Sequence, residues 1–381
     1  MSDYFENESG NLEDDLDWIG DMAEDNPQWI KTHPQAVHGT IRRGLDAPAH
    51  YFKTVDTLLK LLPNALKDAE SSSWFNGVAE LVATHPTEAN TPFKIGFREV
   101  MREFQQEIGV YGARSTVSKE QLEALLNTYI KLFKVLNFSH SRLNGNELID
   151  EAQAVANRLG NRSLTARMNQ TLALYYAHYG LRDLAVLFGK QAFSEYVNLY
   201  DSLGTADAAC TLAILYRIDF QYKEADFYLE YALNAALEEK HEKQFATLFY
   251  EQGVRCYQSD DFRLAQTFYE TALEIYVEYE SVYQIAMTQQ ALAQVYGYLS
   301  EFDKAQRLLA EARRSWEALD VPYEWVNSFF VESDIERLRG NKDLALRMMK
   351  QTIDKAKARI EDIPMRAYLI TQIQESIRKY S

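Results

Sequence analysis

The chain holds seven histidines, His33, His38, His50, His85, His140, His178 and His241, and their spacing argues against metal chemistry. No two stand four apart on one helical face, and no His-Glu-x-x-His run occurs. His33 and His38 flank a proline-containing stretch with no cysteine nearby. Cys210 and Cys256 are the only thiols. A catalytic thiol needs a base and an electropositive setting, and the residues around both supply neither. No glycine-rich phosphate loop, dinucleotide fingerprint or nucleophile elbow is present, so nucleotide and acyl-transfer chemistry lack support. Glu99, Arg102, Glu103 and Gln106 form a small polar group on one helical stretch. That group is too sparse to carry a hydrolase or phosphatase-like reaction. The reading is a protein that is not an enzyme, with no cofactor and no metal.

What remains for these side chains is binding, and the composition says to what. The 381 residues include 16 Gly and 8 Pro, few turn-formers for so long a chain, which argues against a sandwich or barrel. The net charge of −16 disfavours nucleic acid and anionic membrane surfaces as direct ligands. Two cysteines cannot staple a chain of this length, which predicts a reducing, cytoplasmic compartment. No apolar run reaches the ~18 residues of a membrane span, and the N-terminus has no basic and apolar leader pattern.

The negative charge is concentrated. Residues 1–26 carry ten acids and no Lys or Arg, so the remaining 355 carry only −6. Such a segment repels itself, and residues 1–34 are expected to be an acidic, mobile tail. Leu12, Leu16 and Ile19 nevertheless share one helical face beside Trp18. That face is expected either to dock on a partner or to fold back on its own domain. Residues 35–118 read as helices with polar breaks: Tyr51 to Leu66, Trp74 to Val82 and Phe93 to Ile108 carry apolar residues at helical spacing. They are expected to form a bundle or divergent repeats.

An internal period decides the fold. Alanine recurs at 185, 225, 265, 305 and 345, a step of 40 each time. Seven residues on stand Ala192, Ala232, Ala272, Ala312 and Thr352; three residues on stand Phe188, Tyr228, Phe268, Leu308 and Met348. Twelve before each anchor is a small residue: Ala173, Ala213, Gly253, Ala293 and Ser333. Turns fall at Gly180, Phe220, Asp260, Ser300 and Gly340. Small residues at facing positions let two helices approach closely, and large residues fill the gap to the next pair. One pair cannot bury its own apolar face, so the pairs stack. The fold class is all-α, a right-handed superhelical solenoid of antiparallel helix pairs.

The order small, aromatic, turn, aromatic-x-x-Ala, large apolar, Ala resembles the tetratricopeptide repeat (TPR). Tyr222 to Ala225, Phe262 to Ala265 and Phe302 to Ala305 match it well. The resemblance spans 119–360, with one degenerate and five clear repeats, and 361–381 reads as a capping helix. Two features depart from the family: the period is longer than its usual ~34 residues, and its helix-capping proline is missing. The resemblance implies a longer-helix TPR, a class that binds extended or helical peptides and includes peptide-pheromone receptors of the Rap type and cargo adaptors.

The resemblance also implies which residues line the concave face. They are Arg167, Gln170, Leu174 and His178; then Asp207, Cys210, Ile214 and Arg217; then Thr247, Tyr250, Val254 and Tyr257. Met287, Gln290, Gln294 and Tyr298 follow, and then Asn327, Phe330, Asp334 and Arg337. Aromatics and amides in this mixture suit a protein segment whose side chains enter pockets while amides meet its backbone. The family's chaperone-tail clamp of paired Lys and Asn is not visible. Two functions follow: a non-catalytic adaptor or scaffold that binds a protein segment through the array, or a peptide-sensing regulator whose groove repositions the N-terminal helices. Leu12, Leu16, Trp18 and Ile19 are the candidate tail contact.

Overall fold

The small residues that recur at 40-residue steps are buried without exception. Ala185, Ala265 and Ala305 are fully buried and Ala225 and Ala345 nearly so; Ala192, Ala232, Ala272, Ala312 and Thr352 follow suit. They sit where helices meet. At Gly253 an added Cβ would lie 2.7 Å from the ring of Tyr269, and at Gly204 it would lie 2.3 Å from the ring of Tyr196. The helix pairs thus close to a distance that only the smallest side chains permit.

The computed structural model describes residues 11–47, 50–65, 69–85, 92–111, 117–137, 145–239, 242–360 and 363–380. Those residues are helical with no strand among them. Two compact units divide the chain, Met1–Glu195 and Tyr196–Ser381.

The first unit opens with α1 (Leu12–Asp25), α2 (Pro27–Thr32), α3 (Pro34–Asp46) and α4 (Tyr51–Ala65). It continues with α5 (Ala69–Thr84), α6 (Pro92–Tyr111), α7 (Lys119–Leu136), α8 (Asn146–Leu159) and α9 (Arg162–His178). Over residues 12–32 the expected mobile tail is instead a docked helical segment; residues 1–10 lie outside the described residues. Leu16 and Ile19 are fully buried, and α1 packs on α3 and α4. The acids expected to repel one another meet cations of those helices: Asp15 accepts from Arg43 at 2.8 Å, Asp17 pairs with Lys53, and Glu24 lies 3.4 Å from Lys60. Burial of one face and neutralisation of the other overcome the self-repulsion. The unit boundary also lies elsewhere than at 118/119, since α6 packs on α7 and α4 on α8. Residues 119–195 therefore share a core with the N-terminal helices.

After α10 (Arg182–Asn198) the second unit runs through α11 (Ser202–Ile218), α12 (Tyr222–Glu239), α13 (Glu242–Gln258) and α14 (Phe262–Glu278). Then come α15 (Val282–Tyr298), α16 (Phe302–Ala318), α17 (Pro322–Leu338), α18 (Lys342–Arg359) and α19 (Ile363–Tyr380). Each helix packs on the next, and α11 on α13 and α15 on α17, so successive pairs stack along the chain. The last, α19, buries Leu369 and Ile373 against Val326 and Met349.

A period of 20, half the repeat, sets the turns. Residues 160, 180, 200, 220, 260, 280, 300, 320 and 340 all have φ between 51° and 97°. At Gly180, Leu181 N–H donates to the Tyr176 carbonyl at 2.9 Å and Gly180 N–H to Ala177 at 3.0 Å. The same pair recurs at Phe220, where Gln221 donates to Tyr216 and Phe220 to Arg217, and at Ser300, Asp320 and Gly340. This left-handed helix terminus satisfies the orphan carbonyls and reverses the chain in three residues. Only three of the nine positions are glycine.

Candidate functional site

In the second unit the first helices of three successive pairs, α13, α15 and α17, turn the same stripe to one side. Tyr250, Gln290 and Phe330 stand 40 residues apart, as do Met287 and Asn327, and Gln294 and Asp334. The structure brings them together with Tyr298 around one cavity of about 520 Å³ between α13, α15, α17 and α19. Its fourth wall is the C-terminal helix, through Gln372, Ser376 and Tyr380.

The polar groups of this wall are held by a short relay. Fully buried Trp316 on α16 donates its indole N–H to Gln290 Oε1 at 3.1 Å. The Gln290 amide N–H then reaches Glu324 Oε2 at 3.3 Å, and Asn327 donates to the same oxygen at 3.4 Å. Burial pushes the Glu324 carboxyl above its ordinary value, and the amides of Asn327 and Gln290 pull it only part of the way back. Asp334, by contrast, holds Arg337 at 2.7 Å, and Arg337 stacks on the ring of Tyr380 at 4.4 Å. That contact fastens the end of α19 to α17. Burial also raises the Tyr250 hydroxyl, with the Glu251 and Glu324 carboxylates adding to it.

The remaining residues expected on the concave face have other duties. Tyr257 stands behind the cavity, edge-on to Tyr298 at 5.7 Å, and Tyr298 stacks on Phe262 at 4.3 Å. Arg217 is an ion-pair partner, with its Nε 3.2 Å from buried Glu251. Burial raises the Glu251 carboxyl and Arg217 lowers it again. Thr247 accepts from Tyr276 at 3.2 Å. Val254 packs into the core. Asp207 is exposed and Ile214 half-buried on α11. Cys210 and Cys256 are free and buried, and burial raises both thiols, the opposite of activation. Arg167, Gln170, Leu174 and His178 belong to α9 of the first unit; Arg167 donates to Asn127 and Leu174 is exposed.

The tail contact fares differently. Leu16 and Ile19 have no exposed surface, and Trp18 packs edge-on against Trp29 at 4.4 Å. Leu16 and Ile19 are thus spent on their own chain, the second of the two alternatives expected for the face of Leu12, Leu16, Trp18 and Ile19, while Leu12 and Trp18 stay half-buried.

Sequence reasoning missed Glu324 and the α19 wall. Both left a signal. Glu324, Asn327, Val331 and Asp334 follow a 3-4-3 spacing after Pro322, which starts the helix, and Gln372, Ser376 and Tyr380 are four apart. Among the described residues no cluster of His, Cys, Asp and Glu could hold a metal ion, and no helix is long and apolar enough to cross a membrane.

No family model and no curated protein matches the chain. Solved structures do. The Rap conjugation gene regulator of plasmid pLS20, in complex with the Phr* peptide, is 14% identical with a TM-score of 0.51, covering 85% of this chain and 96% of that one. A Rap protein complexed with competence and sporulation factor is 13% identical with a TM-score of 0.46, covering 97% and 99%. BtubC (BKLC) from P. vanneervenii is 20% identical with a TM-score of 0.47, covering 61% and 94%. The likeness to the first is one of fold, an all-helical repeat architecture.

Proposed function

We propose that this chain is a TPR-type regulator or adaptor that binds an extended peptide or partner segment, without chemistry, in the cavity between α13, α15, α17 and α19. The observation that carries this reading is the convergence of Tyr250, Gln290, Phe330 and Tyr298 from three successive repeats on one concave site of about 520 Å³. Aromatic faces there take up side chains, and paired amides suit a peptide backbone. The peptide held by the pLS20 regulator of similar fold supports the same ligand class. We assign residues 119–360 to the repeat array and place the protein in a reducing cytoplasm, in keeping with its two free, buried thiols.

Hydrogen exchange in the presence of a random octapeptide pool tests the reading. Slower exchange in α13, α15, α17 and α19, lost in a Tyr250→Ala, Phe330→Ala variant of unchanged helicity, is the expected result. Unchanged exchange in those helices would refute it. Altered exchange in α1 to α4 as well would favour the peptide-sensing regulator over the static adaptor.

A further inference from the structure

The cavity is chemically lopsided. Two carboxylates line it, Glu324 and Asp334, and none of its lining residues is Lys or Arg. Asp334 is neutralised from behind by Arg337. Among the described residues Glu324 has no such partner: its hydrogen bonds come from two neutral amides, both to Oε2 and both long, at 3.3 and 3.4 Å. Among the described residues, Oε1 receives no hydrogen bond. Glu324 is half-buried, and a partly desolvated carboxylate without a counter-ion is costly, so proteins ordinarily pair it. The buried carboxylates of this unit, Glu251 and Glu336, follow that rule through Arg217 and Arg339. The place of Glu324 in the first turn of α17 eases the cost in part, because the helix N-terminus favours negative charge. The Trp316–Gln290 relay then fixes the carboxylate in position, where a helix-capping role alone would leave it free to reach solvent.

We propose that Glu324 is the specificity residue of the cavity and that the bound peptide presents a Lys or Arg side chain to its open Oε1. A guanidinium or ammonium supplies both the missing charge and the missing donors. Around it, the rings of Tyr250 and Phe330 also line the cavity, and a ring face attracts a cation and covers its methylene stem. An acidic side chain in the same place would meet Glu324 as a like charge. The burial that holds the Glu324 carboxyl above its ordinary value is offset once a cation arrives.

This inference rests on the peptide-binding reading, and the test separates the two. Four pools of acetylated, amidated hexapeptides are prepared, with Arg, Lys, Gln or Glu at one fixed position and uncharged residues elsewhere. Binding to the full chain is measured by equilibrium dialysis. The Arg and Lys pools are expected to bind about tenfold tighter than the Gln pool, with the Glu pool weakest. The preference should collapse in Glu324→Gln and persist in Glu317→Gln, which removes the same charge from an exposed site. Equal binding of the Arg and Gln pools to the unmodified protein overturns the role of Glu324 whether or not the variant folds. A preference that survives Glu324→Gln also overturns it. Failure of every pool to bind overturns the peptide reading and this inference together.

Discussion

Trp316 and Gln290 are joined side chain to side chain, indole N–H to amide oxygen at 3.1 Å, at the buried wall of the cavity. The bond fixes the Gln290 amide so that its N–H end faces Glu324. Replacing Trp316 by Phe keeps an aromatic ring but strands a buried acceptor, at a cost of about 1–3 kcal/mol. The second consequence is functional: Gln290 is released and Glu324 loses a donor. A double-mutant cycle with Gln290→Met separates the two. A coupling of about 1 kcal/mol in thermal unfolding is expected, with weaker peptide binding in either single variant. Additive effects would show that the bond orders nothing.

The turns offer a cleaner test, because their strain is local. Tyr200 and Phe220 sit at φ 55° and 59°, where a Cβ is unfavourable, and both rings are largely exposed. Glycine at either site should stabilise the chain by about 1 kcal/mol, since a left-handed conformation costs other residues roughly 1–2 kcal/mol. The reverse change, Gly340→Ala at φ 97°, should destabilise it by a similar amount. Melting temperatures of the three variants decide the matter. A neutral or lowered value for both glycine variants would show that the exposed rings contribute more than they strain.

These turns also show what can be read from the sequence. The 40-residue series of Ala265, Ala305 and their counterparts was legible because close helix contact leaves no choice of side chain. Gly180 and Gly340 marked their turns because glycine is favoured at a positive φ. Tyr200 and Glu280 did not, because the hydrogen bonds of the terminus hold a left-handed residue whatever its type. In the cavity, Tyr250, Gln290 and Phe330 were legible through the concave positions that the TPR resemblance implies, whereas Gln372 and Tyr380 lie on α19, outside the repeat. The partners that α1 docks against were illegible for another reason. Asp15 and Arg43 are 28 residues apart, and nothing in the local pattern of either announces the other.

That docking makes its own prediction. Leu16 is wholly buried between α1 and the helices beneath it, and the ion pairs around it involve half-exposed groups. Apolar burial should therefore dominate. Leu16→Ala is expected to cost about 2–5 kcal/mol, while Glu24→Ala should cost under about 1 kcal/mol. Limited proteolysis should accordingly cut within residues 12–32 much faster in the Leu16 variant. Comparable cutting in both variants would place the attachment in the ion pairs.

Buried tyrosines set a limit at high pH. Burial pushes the hydroxyls of Tyr51, Tyr276 and Tyr296 up to about 12, from an ordinary value of 10.0. All three are less than a tenth exposed. The folded chain therefore keeps protons that the unfolded chain releases at about pH 10, so stability falls as pH rises between the two values. The contribution is fully present below about pH 10 and lost as pH passes through about 12. Ultraviolet difference spectroscopy should show these three ionising only near the point where helical circular dichroism collapses. Ionisation of all tyrosines in one step near pH 10, with helicity intact, would mean that water reaches these rings in the folded state.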